Sequence, residues 1–372
     1  MTSLGKTLKN TLFGSAHPRA LLPGLGLALG LTVLAAALSA VAGRLLAGHT
    51  NPFSTILLAI VLGLLFRNTL GLSPVAEPGV AYGIRKVLRF GIVLMGIRLS
   101  LLSVLRIGAV AVGLVLVCIT AALALTVFLS RKVGISPKLG TLIAAGTSIC
   151  GVSAIVATAP AIEADEAETA YAIGTITLFG LLATLIYPYG TELLLGLDTA
   201  QAGFFLGTAI HDTSQVTGAA LIYDQLWGGR TPLGLSGADI AITTKLVRNT
   251  FLILVIPFLG WRSGRQTEAT SGGLLQYVPL FVVGYVLMGA LRTLGDGWFG
   301  PASAGWTVVW QSVAGLATWA IALAIAAVGL NTDLRRLTHL GVRPIGVGLA
   351  AALAVGLISF TLVTLFSGAL VF

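Results

Sequence analysis

Apolar residues recur along this chain in long, nearly unbroken runs, and not in the strict alternation of half-buried strands or the single stripe of a surface helix. Bounded by charged, Pro or Gly flanks, the runs fall at about 21–43, 53–66, 80–97, 107–130, 141–162, 169–188, 200–222, 236–258, 274–291, 304–330 and 344–370. Since an α-helix rises about 1.5 Å per residue, about 20 residues cross the roughly 30 Å hydrocarbon core of a bilayer. The pattern therefore predicts an all-α integral membrane protein with about eleven transmembrane helices. The second run is short and the tenth long, which predicts tilt or a break in some of them.

Composition agrees. Of 372 residues, 56% are hydrophobic and 9% charged, and the mean hydropathy is +0.98, against roughly 25% charged residues in soluble globular proteins. We read residues 1–372 as a single polytopic membrane domain, with residues 1–20 as a cytoplasmic N-terminal segment. Lys6, Lys9 and Arg19 ahead of the first run imitate a secretory signal, but the run is too long for one and further spans follow. The net charge of +9 sits in short loops, where topology explains it, so no nucleic-acid partner is expected. Cys118 and Cys150 both lie inside predicted spans and offer neither a disulfide framework nor a CxxC metal site.

Loop charges set the orientation. With the N-terminus inside, the cytoplasmic segments hold Lys6, Lys9, Arg19, Arg67, Arg85, Lys86, Arg89, Arg131, Lys132, Lys138, Arg262, Arg265, Arg335, Arg336 and Arg343. The outer segments hold Arg44, Arg98, Arg106, Arg230 and Arg292. Fifteen against five predicts N-in, C-out and an odd number of spans.

Two internal echoes stand out. GIRLSLLSVLRIG (Gly96 to Gly108) and GLNTDLRRLTHLG (Gly329 to Gly341) leave the membrane on opposite sides, as an inverted repeat requires. GTSICGVS at Gly146 and GTAIHDTS at Gly207 share the form GTxIxxxS, yet the span count runs them in the same direction. Either one of them is not a simple span, or the match is coincidence.

Polar groups within a span are costly, about 2.5–3.5 kcal/mol for a charge at a helix centre, and each needs a reason. In GTSICGVS, Gly146 and Gly151 each weaken a helix by about 1 kcal/mol relative to Ala, and Thr147, Ser148 and Ser153 compete for backbone hydrogen bonds. A helix break that exposes ligating backbone is one reading; close helix packing through small residues is the other. In AIHDTSQVTGAA, His211 and Asp212 lie about 18 Å into their run, near the bilayer middle. Imidazole titrates near neutrality, so the pair is a candidate proton carrier, or else a structural hydrogen-bonded pair capping a broken helix. In TTKLVRNT, Lys245 and Arg248 share a helix face at mid-depth and need an anionic ligand or a partner across the bundle, for which Asp212 is the obvious acid. The acidic run Glu163 to Glu168 reads as a solvated loop at the outer end of the fifth run. No nucleophile–base pair, phosphate loop or metal-ligand spacing appears, so we expect no enzyme and no cofactor.

GTSICGVSAI, AIHDTSQV, the Lys245/Arg248 pair and GIRLSL at the end of the third run resemble the bacterial sulfate-exporter family of YeiH-type membrane proteins, over nearly the whole chain. That family is distantly similar to sodium/proton antiporters and bile-acid symporters. The resemblance implies inverted repeats, discontinuous helices crossing at the midplane, and a core moving against a scaffold. It places Gly146, Thr147, Ser148, Cys150, Gly151 and Ser153 at the crossing, with Gln215, Lys245 and Arg248 around a bound anion and His211 and Asp212 coupling an ion. The tenth run, carrying Gln311, Ser312 and Gly315, is then the candidate crossing partner. The expected function is secondary active transport of a small anion such as sulfate or a related oxyanion or sulfonate, in the bacterial inner membrane. The alternatives are an anion channel and a cation/proton antiporter. Candidate partners are the anion, H⁺ or Na⁺ as coupling ion, the lipid bilayer and a second copy in a homodimer.

Overall fold

The structure, a computed structural model, describes residues 18–46, 53–263, 279–335 and 341–366. It is built from helices: α1 (Pro18–Leu45), α2 (Thr55–Thr69), α3 (Glu77–Tyr82), which runs through a π turn into α4 (Leu88–Met95), and α5 (Leu101–Val133). Next come α6 (Pro137–Ser148), α7 (Val152–Ala161), α8 (Glu166–Leu193), α9 (Thr199–Ala209), α10 (Thr213–Leu226), α11 (Gly237–Thr250) and α12 (Leu252–Arg262). The last are α13 (Leu280–Phe299), α14 (Ala304–Asn331) and α15 (Val342–Leu365). Among the described residues seven helical stretches are long and apolar enough to cross a membrane, and the described part of each predicted apolar run falls on one helix or a consecutive pair, residues 274–278 and 367–370 of two runs lying outside the described residues. Polar punctuation sets the boundaries: Ser54, Ser100, Ser136, Asp165, Asp198, Asp212 and Ser236 each cap a helix N-terminus through the side chain.

The chain forms two compact units, residues 1–98 with 287–335, and residues 99–286 with 336–372. In the first, α14 packs on α2 and α1 on α3 at small residues, so close that a Cβ on Gly63 would lie 2.4 Å from the Ala326 carbonyl oxygen. Asn68 ties the end of α2 to the chain leaving α14, donating to the Thr332 carbonyl (3.0 Å) and accepting from the Leu334 N–H (2.8 Å). The second half of the first echo is described only in part, because residues 336–340 lie outside the described residues. The same holds for most of the N-terminal segment 1–20.

The second unit corrects the span count. The fifth run is not a span but a helical hairpin. Lys138 at the start of α6 donates to the Glu163 carbonyl just beyond α7 at 2.6 Å, whereas a straight helix would set these residues about 38 Å apart. Leu139, Leu142 and Ile143 of the first limb pack in one core with Ile155, Ala159 and Ile162 of the returning limb. The chain reverses at Gly151, where φ is +62° and ψ −125°, a region open essentially to glycine alone.

The seventh run turns back as well. A Cβ on Gly229, just past α10, would lie 2.3 Å from the hydroxyl of Thr199, the first residue of α9, although 30 residues of straight helix span about 45 Å. Its reversal is Ile210–Asp212. Between the hairpins runs α8, 28 residues and about 42 Å long. The base of the first hairpin sits at the start of α8, where the Ser136 hydroxyl donates to Glu168. The base of the second sits at its other end, where the Leu197 N–H donates to the Thr191 carbonyl (3.0 Å) and Trp227 stacks edge-on against Tyr189. The tips meet against its middle. Gln215 donates to the Thr177 carbonyl (3.4 Å) and fills the space that a Cβ on Gly180 would need.

The tenth run is not the crossing partner. As α14 it is continuous from Ala304 to Asn331, with Gln311, Ser312 and Gly315 exposed along it. Gly151 instead faces the second reversal, and a Cβ there would lie 3.0 Å from Asp212 Oδ2.

Candidate functional site

A helix leaves its last carbonyls without intrahelical partners, and burying such an end demands donors from elsewhere. Both hairpin tips contain one, the C-terminus of α6 and that of α9, and α11 supplies the donors. Arg248 Nη2 donates to the Thr147 carbonyl (2.5 Å), Nε to Ser148 (2.6 Å), and Nη1 to Thr208 (2.7 Å) and Ile210 (3.1 Å). Lys245 Nζ donates to the carbonyls of Ile149 (2.8 Å), Ile210 (3.1 Å) and His211. Both side chains have no solvent exposure.

Aligning the two GTxIxxxS segments shows the order in this arrangement. Arg248 takes the carbonyl of the Thr in each copy, and Lys245 takes that of the Ile in each. One helix face thus staples equivalent backbone positions of two hairpins that run toward each other. Placing cations at helix C-termini also opposes the negative ends of the helix dipoles.

This corrects the expected pairing. Among the described residues no ion pair joins Asp212 to Lys245 or Arg248. Asp212 caps α10 instead, Oδ1 accepting from the Ser214 N–H (2.9 Å) and hydroxyl (2.7 Å), while Gln215 Oε1 accepts from the Asp212 N–H (3.1 Å). Gln215 is therefore a capping-box residue braced on α8.

The other candidates divide. Thr147 and Ser148 are buried, and their hydroxyls donate to the carbonyls of Ile143 (2.8 Å) and Ala144 (2.6 Å) in their own helix. Gly146 packs against Ile155 and Ile176, and Cys150 is buried in the turn. Ser153 is exposed in the first turn of α7, which begins at Gly151 with no side-chain cap. His211 is buried against the Thr147 backbone. The acidic run is a capping segment at the base of the first hairpin: Asp165 accepts from the Glu168 N–H at 2.7 Å.

Sequence reasoning missed that the buried cations are held by main-chain carbonyls, among them those of Ile149 and Ile210. The shared Ile of the two echoes was the signal. It also passed over Asn249, which donates to the Thr213 hydroxyl (3.0 Å) and leaves its own Oδ1 unsatisfied beside the second tip.

Comparison with known proteins places the chain in a family. The model described as Conserved hypothetical protein 698 matches residues 23–348. A UPF0324 membrane protein of Bacillus anthracis is 32% identical over 320 residues, covering 84% of this chain and 87% of the relative. Similar proteins of the same description occur in Agrobacterium fabrum (32% identical, 86% of each chain) and Streptococcus pneumoniae (33%, covering 82% of this chain and 88% of the relative).

Proposed function

Because the chain belongs to the Conserved hypothetical protein 698 family of UPF0324 membrane proteins, the YeiH-type family its motifs resemble, we propose that it is a secondary active transporter of a small anion. The observation that carries this reading is the charge at the hairpin junction. Two fully buried cations, Lys245 and Arg248, face a single acid, Asp212, so the site holds a formal excess of one positive charge at the middle of the unit. Burying unbalanced charge is costly, and an anion that arrives there relieves the cost.

The cations act at one remove. All three ammonium protons of Lys245 and four of the five guanidinium protons of Arg248 have backbone acceptors, so the anion receives their field and not their hydrogen bonds. Its direct donors are the N–H groups of Val152 and Ser153 in the first turn of α7 and the Ser153 hydroxyl, at the positive end of a half-helix. Sulfate or a related oxyanion or sulfonate suits that donor set. His211 and Asp212, on the facing tip, are the coupling groups.

In this reading the chain crosses the membrane nine times, N-terminus inside and C-terminus outside, and the hairpins enter from opposite faces, as an inverted repeat would have them. The cation/proton antiporter alternative is weakened by Lys245 itself. The carbonyl cluster that would coordinate Na⁺ already holds its ammonium group.

Proteoliposome flux tests the proposal. Radiolabelled sulfate, thiosulfate and taurine are offered to wild type and to Ser153→Ala and Asp212→Asn. Uptake that shows counterflow and weakens in either variant supports it. Sodium-dependent cation movement with no anion flux above empty liposomes overturns it, and anion flux without counterflow identifies a channel.

A further inference from the structure

A cavity of about 760 Å³ lies within the second unit between α5, the first turns of α6, and α12, and its inner residues Ile119, Val255 and Leu259 pack in one core with Ile149 and Cys150 of the first tip. Its walls are almost wholly apolar, with Leu116, Phe128, Leu254 and Phe258 half exposed along it. Two arginines, Arg131 of α5 and Arg262 of α12, close one end. Both are exposed, and neither has a carboxylate partner among the described residues.

The dimensions fit one leaflet. From Leu116 to Arg131 is about 22 Å of helix and from Phe251 to Arg262 about 17 Å, against roughly 15 Å for half the hydrocarbon core. A groove that is apolar for the depth of one leaflet and doubly cationic where the headgroups lie matches a molecule with those two parts. The loop charge asymmetry puts the arginine end on the cytoplasmic side, which faces anionic lipid in a bacterial membrane. A free phosphate has no use for the apolar length, and a zwitterionic lipid has no use for two arginines.

We propose that this groove is a binding site for one anionic phospholipid, its phosphate held by Arg131 and Arg262 and an acyl chain laid between α5 and α12. One wall is α6, so the bound lipid braces the limb of the first hairpin that carries Thr147 and Ser148. The site is independent of the anion reading: it concerns a lipid-facing surface and survives if the transported species is something else.

The test is native mass spectrometry of the full chain released from detergent, titrated with phosphatidylglycerol and with phosphatidylcholine of the same acyl chains. Phosphatidylglycerol binds more tightly to wild type. Each of Arg131→Gln and Arg262→Gln weakens it by about five-fold, and the double variant by about thirty-fold, erasing the preference. The Arg131→Lys, Arg262→Lys pair keeps most of it, which separates charge from misfolding. Ala124→Phe, which fills the apolar length, weakens both lipids alike. Equal binding of the two lipids to wild type overturns the proposal, as does a preference that survives the double glutamine variant. Displacement of phosphatidylglycerol by glycerol 1-phosphate at equal concentration also overturns it, because the acyl groove then contributes nothing.

Discussion

Replacing Arg248 with Met keeps the length of the side chain and removes its donors. The carbonyls of Thr147, Ser148 and Thr208 then lose the donor that Arg248 supplies, while Ile210 keeps Lys245. A buried acceptor left without a donor costs about 1–3 kcal/mol, so the gross loss is about 3–9 kcal/mol. Part of this is offset because a guanidinium no longer has to be desolvated, and removal of one member of a buried charged cluster costs about 3–5 kcal/mol net. At about 2–4 °C per kcal/mol for a unit of this size, the unfolding midpoint falls by about 6–20 °C. Cys118 and Cys150 are buried, so a thiol-reactive fluorophore reports unfolding of the detergent-solubilised protein without further labelling sites. Arg248→Lys falls between the two, because an ammonium group has three protons on one atom where the guanidinium makes four backbone hydrogen bonds from three nitrogens. A midpoint for Arg248→Met within about 2 °C of wild type would falsify the claim that this side chain holds the hairpin tips together.

Three further outcomes follow from the same geometry. Gly151→Ala forces an L-residue to φ +62° and a Cβ to within 3.0 Å of Asp212, so it costs about 1–3 kcal/mol and exposes Cys150 to the fluorophore earlier in the melt; an unchanged melt refutes the strained turn. His211→Phe keeps a ring of similar size in the buried site and leaves the stability within about 1 kcal/mol of wild type, but abolishes concentrative anion uptake driven by an imposed ion gradient; uptake that persists removes His211 from coupling. Leu194→Cys and Leu233→Cys flank the second hairpin and react with an impermeant maleimide from the same side of the membrane, whichever side that is. Labelling from opposite sides would show that α9 and α10 cross.

Much of the fold was legible because membrane helices announce themselves by length and apolarity, and because capping residues such as Asp165 and Asp198 sit where the helices begin. The break at Ile149–Gly151 was legible too, since two glycines among small hydroxyls weaken a helix that has no competing reason to be polar. The partners of the buried charges were not. Lys245 and Arg248 read as counter-charges to an acid because side chains are what a sequence displays, whereas their acceptors are main-chain carbonyls, which every residue carries. Asp212 looked available to them, yet a residue followed by Thr-Ser-Gln is also a capping box, and the local hydrogen bonds prevail.

The reversal of the two hairpins escaped for a different reason. Hydropathy measures only that a segment is apolar, and two half-length helices that return to their starting face present the same apolar length as one that crosses. Loop charges ordinarily resolve the ambiguity, but residues 139–229 contain no Lys or Arg at all. Eleven crossings, or nine with two hairpins, give the same fifteen against five, because removing two crossings restores the parity of every basic loop. What did register the difference was the direction of the two GTxIxxxS segments. Counted as spans they run parallel; as hairpin limbs rising from opposite ends of α8 they run antiparallel, and one helix face can then address the same carbonyls in both. A conflict between a local repeat and a global topology was thus a measurement of the topology, and the cluster of basic side chains that seemed to need an acid is what the antiparallel arrangement of buried helix ends requires.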